Sequence, residues 1–211
     1  RRRARALGLL EAGKTPGGRP RYSLPAHPSR FIGRDRELDE LTALLSEPHV
    51  RMITLLGPGG IGKTRLAMEV AWRMVEPDAY SVAREPLPGG AYFVPLQSVD
   101  AAEDVFWAIA EAVSFHFQPG KRDARQQLFD FFHEQRLLLV LDNFEQVLGA
   151  ATLVGELLQA APGVQALVTS RVMLGLQAET VYPLGGLAYA DAVEDFTHLD
   201  AVRLFLHRAQ Q

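Results

Sequence analysis

The segment from Gly57 to Thr64 has the order Gly-x-x-x-x-Gly-Lys-Thr, with glycines ahead of a lysine and a threonine. Glycines let successive backbone N–H groups curl around phosphate oxygens without side-chain clashes, and a helix beginning at Lys63 would add its positive dipole end. Lys63 is expected to contact the β- and γ-phosphates, and the Thr64 hydroxyl to ligate Mg²⁺. The sequence therefore predicts a phosphate-binding loop. Its predicted nucleotide contacts are Gly57, Gly59, Gly60, Ile61, Gly62, Lys63, Thr64 and Arg65.

A run of apolar residues from Leu137 to Leu141 ends in Asp142. A carboxylate at the end of such a buried strand would lie beside the phosphates and hold Mg²⁺ directly or through water, as in a Walker B segment. Alternatively, Asp142 or Asn143 caps the next helix. Many P-loop ATPases carry a water-activating acid at the position of Asn143, and an amide cannot accept the proton, so slow hydrolysis is expected. Glu145 is either a substitute base or an acidic residue that stabilises the helix start.

A further strand pattern begins at Val164 and delivers Thr169, Ser170 and Arg171 to the same edge of the predicted sheet. A threonine or serine there could sense the γ-phosphate, and an arginine could neutralise its charge. A surface carboxylate is the alternative partner of Arg171. Together these patterns nominate one group of residues that act on the γ-phosphate and its metal. The group consists of Lys63, Asp142 and Arg171.

Apolar runs of strand length alternate with helical patterns along the chain. Strands are predicted at 51–56, 91–96, 137–141 and 164–169, and helices at 34–46, 63–75, 101–113, 123–134 and 144–161. This βαβα order predicts an α/β fold, with a mostly parallel sheet, helices on both faces and right-handed crossovers. Ligands of such sheets bind beyond the C-terminal ends of the strands. With the phosphate-binding loop, the predicted class is a P-loop NTPase of the ASCE type.

The composition indicates a folded chain with one main domain. Of its 211 residues, 47% are hydrophobic and 22% are charged, close to ordinary globular usage. Residues 1–29 open with arginines and are rich in glycine and proline, which predicts a linker. Its arginines could instead contact nucleic acid or an upstream domain. Residues 30–190 are predicted to form the nucleotide-binding domain, and residues 191–211 to begin a truncated helical domain.

Several protein classes lose support from what the sequence lacks. It has no cysteine for a disulfide or thiolate metal site, and its six histidines show no HExxH spacing. No apolar stretch approaches the roughly 20 residues that a membrane helix needs, so we expect a cytoplasmic protein with no membrane contact. The net charge of −3 argues against a generally basic surface for nucleic acid.

Four segments, in this order and at these separations, resemble the NB-ARC or AP-ATPase branch of the STAND P-loop NTPases. They are residues 31–37 (Phe-Ile-Gly-Arg-Asp-Arg-Glu), 57–64, 137–143 and 168–171. The likeness is greatest to the ATPase modules of large bacterial regulators, and it spans about residues 31–187. It implies that Phe31, Ile32 and Arg34 lie near the adenine and that Arg171 reads the γ-phosphate.

The resemblance also implies ATP or ADP with Mg²⁺ as cofactors, in a switch where ADP holds a closed form and ATP permits self-assembly. Members of this branch continue into helical, winged-helix and usually repeat domains. This sequence ends at Gln211, just inside what resembles the first of those helices, at 199–209. The partner domains are therefore expected elsewhere in a longer protein, and nucleic-acid contact is expected only through them.

Two other functional classes remain open at this stage. An ordinary P-loop enzyme would share the phosphate loop. A kinase, however, would need an arginine-rich lid that residues 80–90 do not convincingly offer, and a AAA+ motor would favour an acid at position 143. A regulator that binds DNA through this chain rests on the arginines of residues 1–5 alone.

Overall fold

A computed structural model gives the structure of residues 22–26, 31–76, 87–120, 123–187, 201, 202 and 204. Six strands form one sheet in the order β1-β3-β4-β5-β2-β6, and every neighbouring pair is parallel. The strands are β1 (Tyr22–Ser23), β2 (Met52–Leu56), β3 (Ala91–Pro95), β4 (Leu137–Asp142), β5 (Val164–Ser170) and β6 (Glu179–Pro183). The helices are α1 (Asp35–Leu44), α2 (Lys63–Val75), α3 (Ala102–Ala112), α4 (Ala124–His133) and α5 (Ala151–Ala160).

The central strand β4 shows how the core is divided between the two faces of the sheet. Leu137, Leu139 and Leu141 pack with α3, α4 and α5 on one face. Leu138 and Val140 pack with α1 and α2 on the other face. Alternate residues of a strand point to opposite faces, so a strand covered on both sides must be apolar throughout, as β4 is up to its final aspartate.

The fold class predicted from the sequence is confirmed. The parallel sheet carries helices on both faces, and β5 lies between β2, which leads into the phosphate-binding loop, and β4, which ends in Asp142. Parallel pairing brings the C-terminal ends of these three strands to one edge, with Leu56 opposite Ser170. The residues predicted to do chemistry therefore start from neighbouring positions.

Two strands at the edges of the sheet were not predicted. β6 pairs with β2 but is partly exposed and ends in a proline, so it lacks the continuous apolar run of a central strand. β1 lies inside the segment predicted as a linker, where Leu24 is fully buried. Residues 22–24 thus belong to the sheet and core, a correction to the linker boundary. Residues 1–21 lie outside the described residues, as does most of the helix predicted at 199–209.

The helix predicted at 144–161 is wrong in its first part. Two short 3-10 turns, Phe144–Gln146 and Leu148–Ala150, precede α5, which begins only at Ala151. Asn143 has a left-handed backbone with φ of 61°, and Val147 has φ of −133° and ψ of 42°, so regular helix cannot run through this segment. The turns carry Glu145 back toward the C-terminal edge of the sheet.

Among the described residues, no helix combines the length and the apolar character needed to cross a bilayer.

Gly163, in the turn between α5 and β5, is predicted to tolerate no side chain. A Cβ atom there would lie 2.2 Å from the backbone oxygen of Gln135 and 2.9 Å from Cγ of Arg136. Because a backbone oxygen cannot rotate away, Gly163→Ala should lower the free energy of unfolding by about 3 kcal/mol, as in other overpacked sites. Urea denaturation followed by circular dichroism measures this loss.

Gly155→Ala is the matched control for that substitution. Gly155 lies inside α5, and its Cβ atom would meet Leu176 at an ordinary contact distance of 3.5 Å. Alanine inside a helix is favoured over glycine by about 0.5–1 kcal/mol, so this variant should be as stable as the parent chain or more so. Equal denaturation midpoints for the two variants would contradict the packing described at Gly163.

Candidate phosphate and magnesium site

The phosphate-binding loop connects β2 to α2, and its glycines adopt the backbone that the sequence predicts. Gly60 and Gly62 have φ of 78° and 98°, in the left-handed region that favours glycine. A Cβ atom at either position would meet nothing within 4 Å, so these positions require a backbone conformation rather than space. Because α2 begins at Lys63, the N–H groups of its first turn lie at the end of the loop.

The side chain of Lys63 lies inside the curve of this loop. Its ammonium donates to the backbone oxygens of Gly57 at 2.7 Å and Pro58 at 3.0 Å, and the residue is only 7% exposed. Burial lowers the pKa of Lys63, an effect that the nearby carboxylate of Glu145 partly offsets. The loop thus holds a cation at the centre of a ring of backbone groups, the arrangement that binds anions.

Asp142 joins three elements of the fold at one carboxylate oxygen. The Thr64 hydroxyl donates to Oδ1 at 2.7 Å from the start of α2, and the Thr169 hydroxyl donates to the same oxygen at 2.6 Å from β5. Within the described part of the chain, Oδ2 of Asp142 has no hydrogen-bond partner. Each threonine hydroxyl donates its hydrogen to Asp142. The lone pairs of the Thr64 oxygen therefore remain available to bind a metal ion. In these two bonds Asp142 accepts side-chain hydroxyls, and neither bond is the N-cap hydrogen bond considered as its alternative role.

The contact of Thr169 with the nucleotide stays a prediction, and the structure shows what Thr169 binds within the protein. Thr169 is fully buried, and its hydroxyl accepts the backbone N–H of Asn143 at 2.9 Å while donating to Asp142. Both hydrogen-bonding directions are therefore satisfied inside the protein. Thr169 positions the carboxylate of Asp142 from beneath the site. Asn143 occupies the N-cap position of the first 3-10 turn, but its side chain makes no capping hydrogen bond.

Arg171 extends from the end of β5 over the phosphate-binding loop. Its Nε atom lies 3.0 Å from Oε1 of Glu145, and a Cβ atom on Gly59 would lie 3.1 Å from its Nη2 atom. The guanidinium is therefore next to the loop and paired with a carboxylate, while its contact with the γ-phosphate stays a prediction. The carboxylate belongs to Glu145, which therefore lies beside the site as the ion-pair partner of Arg171.

Arg34 holds the phosphate-binding loop from behind. It is only 6% exposed, and its Nη2 atom donates to the backbone oxygens of Ile61 at 3.1 Å and Gly185 at 2.8 Å. Its Nη1 atom pairs with Glu37 at 2.9 Å. The guanidinium of Arg34 thus bonds to three groups of the protein, and its predicted position near the adenine stays a prediction.

Phe31 and Ile32 precede Arg34 closely in the chain and are partly exposed. The ring of Phe31 is 5.8 Å from Cζ of Arg65, on the first turn of α2. This places both residues at the side of the site next to the start of α2. Their contact with adenine stays a prediction, as does a nucleotide contact of Arg65.

The segment that follows β6 is the part of the site that sequence reasoning missed. The backbone N–H of Leu184 donates to Leu56 at 2.7 Å, and a Cβ atom on Gly57 would lie 2.9 Å from the oxygen of Leu184. The first glycine of the loop is therefore required by a close backbone approach. The signal available in the sequence was Thr180-Val181-Tyr182, three residue types favoured in strands, with Gly185-Gly186 shortly after them.

Comparison with known sequences finds relatives that are longer than this chain. No known protein-family profile matches it. It is 30% identical over 191 residues to an uncharacterized protein of Mycobacterium tuberculosis, covering 90% of this chain and 44% of that protein. A second protein of M. tuberculosis, provisionally named an HTH-type transcriptional regulator, is 36% identical over 172 residues, covering 81% of this chain and 17% of the regulator. The chain thus spans less than half the length of these relatives.

Among solved structures, the chain resembles the ORC1 protein of Aeropyrum pernix, determined in complex with DNA. The TM-score is 0.59 at 20% sequence identity, covering 87% of this chain and 50% of that one. At this level of sequence identity, the likeness concerns the fold alone. The chain has the fold of the P-loop ATPases.

Proposed function

We propose that this chain is a nucleotide-binding switch module that holds ADP or ATP together with Mg²⁺ inside a longer protein. The observation that carries the proposal is the 2.7 Å hydrogen bond between Thr64 and Asp142, residues 78 positions apart. It joins the two segments that the sequence nominates, one for phosphate and one for the metal. Such a pair has a direct use in Mg²⁺–nucleotide binding and none as a surface contact.

The phosphate end of the proposed site consists of the loop, the start of α2 and Lys63. The ammonium of Lys63 is held by two carbonyl oxygens, which are weaker partners for a cation than the oxygens of a phosphate. A bound nucleotide would therefore draw Lys63 from the loop carbonyls to its own β- and γ-phosphates. The open space over Gly60 and Gly62 leaves room for those phosphates.

The donor set fits Mg²⁺ bound with a nucleotide better than a metal bound by protein alone. Within the described residues, no group of three or more His, Cys, Asp or Glu side chains could hold a metal ion. Mg²⁺ is usually held by one or two protein oxygens together with phosphate oxygens and water, and Thr64 with Oδ2 of Asp142 offers that small number. When bound, the ion would neutralise charge shared by the β- and γ-phosphates.

A switch fits the site better than a rapidly turning enzyme. The residue after Asp142 is an amide, Asn143, whose backbone N–H is used by Thr169 and whose φ is positive. The next acid, Glu145, is paired with Arg171 and is mostly buried, so it is poorly placed to accept a proton from water. Both observations support slow hydrolysis and a long-lived nucleotide-bound state.

The longer protein that we propose around this module is a signalling or transcriptional regulator of the STAND type. The relative named for an HTH-type regulator is several times longer than the matched region, which leaves room for further domains. The NB-ARC-like segments at 31–37, 57–64, 137–143 and 168–171 support the same assignment. On this proposal, helical, winged-helix and repeat domains supply the remaining contacts, the ATP state self-assembles, and any DNA contact belongs to those domains.

The proposal is tested by measuring binding and turnover on the same sample. Calorimetry should find ADP and ATP binding that strengthens with Mg²⁺, and steady-state phosphate release should stay well below about 1 s⁻¹, the lower end of ordinary enzyme turnover. Failure to bind either nucleotide would remove the proposed site. Turnover of tens per second would identify an ordinary P-loop enzyme, such as a AAA+ ATPase or a kinase-like phosphoryl-transfer enzyme, in place of a switch.

A further inference from the structure

The ion pair between Glu145 and Arg171 lies beside the phosphate-binding loop and includes the arginine predicted to read the γ-phosphate. The Nε atom of Arg171 lies 3.0 Å from Glu145, and its Nη2 atom lies so near the phosphate-binding loop that a Cβ atom added to Gly59 would be 3.1 Å from it. Glu145 also acts electrostatically on Lys63. The carboxylate and the predicted γ-phosphate therefore compete for the same guanidinium.

The two partners of this pair differ sharply in exposure. Arg171 is 62% exposed, whereas Glu145 is 12% exposed, and the Oε2 atom of Glu145 is buried with no hydrogen-bond partner. An exposed arginine contributes little through one ion pair and can move to a better acceptor. The carboxylate cannot follow it, so departure of Arg171 leaves a mostly buried charge without its only described partner, at a cost to the protein.

ATP binding requires Arg171 to move from Glu145 to the γ-phosphate, whereas ADP binding does not. A terminal phosphate has more charge and more acceptor oxygens than a carboxylate, and it can bind a guanidinium in a bidentate way. ADP has no γ-phosphate, so it can bind while Arg171 stays with Glu145. Breaking the pair therefore opposes ATP binding and leaves ADP binding largely unaffected.

We infer that Glu145 is a specificity-determining residue that holds Arg171 in reserve and thereby lowers the preference of the site for ATP over ADP. This inference rests on the proposed function, since it concerns the same phosphate site. The sequence pattern around Asp142 suggests a base or a helix-start role for Glu145, and neither role involves Arg171.

The test compares ATP and ADP affinities, each with Mg²⁺, in the 211-residue chain and three variants. Glu145→Gln keeps the shape of the side chain and removes its charge. It should raise the ratio of ATP affinity to ADP affinity about fivefold, the size expected for the loss of one partly exposed ion pair. Arg171→Ala should lower that ratio. The double variant Glu145→Gln/Arg171→Ala should have the same ratio as Arg171→Ala alone.

Asp39→Asn is the matched control, because it removes an arginine–carboxylate pair with Arg73 that lies between α1 and α2, outside the phosphate site. It should not alter the ratio. An unchanged ratio in Glu145→Gln, with ADP still bound, would overturn the role of Glu145 while leaving the proposed function intact. A rise that persists in the Arg171→Ala background would also overturn it, since the charge of Glu145 would then act without Arg171. Absence of ADP binding in the parent chain would instead sink the proposed function.

Discussion

Lys63→Ala is expected to reduce the affinity for ADP·Mg²⁺ by about 30-fold or more. The ammonium of Lys63 is buried inside the phosphate-binding loop and is the cation closest to where the phosphates are proposed to bind. Truncating one partner of a buried, hydrogen-bonded charge pair costs about 2–5 kcal/mol, which converts to this loss or a larger one. Calorimetric titration with ADP and Mg²⁺ measures the change.

The matched control for Lys63→Ala is Arg73→Ala, which removes a cation from the same helix at the far end, where it pairs with Asp39. Its affinity for ADP·Mg²⁺ should equal that of the parent chain. Circular dichroism should show that both variants are folded, because Lys63 also satisfies two carbonyl groups of the loop. Parent-like affinity in a folded Lys63→Ala variant would show that the nucleotide, if bound, lies elsewhere.

Asp142→Asn is expected to abolish most of the strengthening of ATP binding by Mg²⁺. An amide oxygen can still accept the hydroxyls of Thr64 and Thr169, so the substitution removes the charge and keeps the local hydrogen bonds. Loss of a single oxygen ligand or its orienting partner commonly reduces metal affinity by about 10–100-fold. The measurement is the ATP dissociation constant with excess Mg²⁺ and with a chelator.

Asn143→Gly provides the control at the adjacent position. Asn143 has a positive φ, which alanine would adopt at a cost of about 1 kcal/mol, whereas glycine adopts it freely. The glycine variant should retain the full effect of Mg²⁺ and the same slow phosphate release as the parent chain. Retained Mg²⁺ dependence in Asp142→Asn would separate this carboxylate from the metal and would require another ligand.

The parts of the fold that the sequence predicts are those fixed by burial on both sides. β4 and β5 are covered by helices on each face. That burial makes β4 a continuous apolar run up to Asp142 and makes most of β5 apolar, so both can be recognised without a structure. β6 is exposed along much of its length, and β1 is only two residues long, so neither is required to show such a run. Edge strands of this kind depend on their neighbours rather than on their own composition.

The site divides in a similar way. Lys63, Thr64 and Asp142 could be found because the backbone around them is specified by local residues, namely glycines before a helix and an apolar strand before a carboxylate. The roles of Thr169, Glu145 and Arg34 depend on partners between 26 and 151 positions away in the chain. Residue type shows what a side chain can donate or accept. Only the packing of β4 against β5, and of α1 against the loop, decides which partner receives it.

The clamp made by Arg34 has a mechanical consequence. One guanidinium grips Ile61 in the loop and Gly185 beyond β6, and the adjoining Leu184 is bonded to Leu56 at the root of the loop. These hydrogen bonds connect the phosphate-binding loop to the segment that follows β6, with Arg34 bound to both. If a ligand displaces Ile61, we expect Gly185 to move with it, because both backbone oxygens bind the same guanidinium. A change at the phosphate-binding loop would then reach the point from which the chain continues past residue 187.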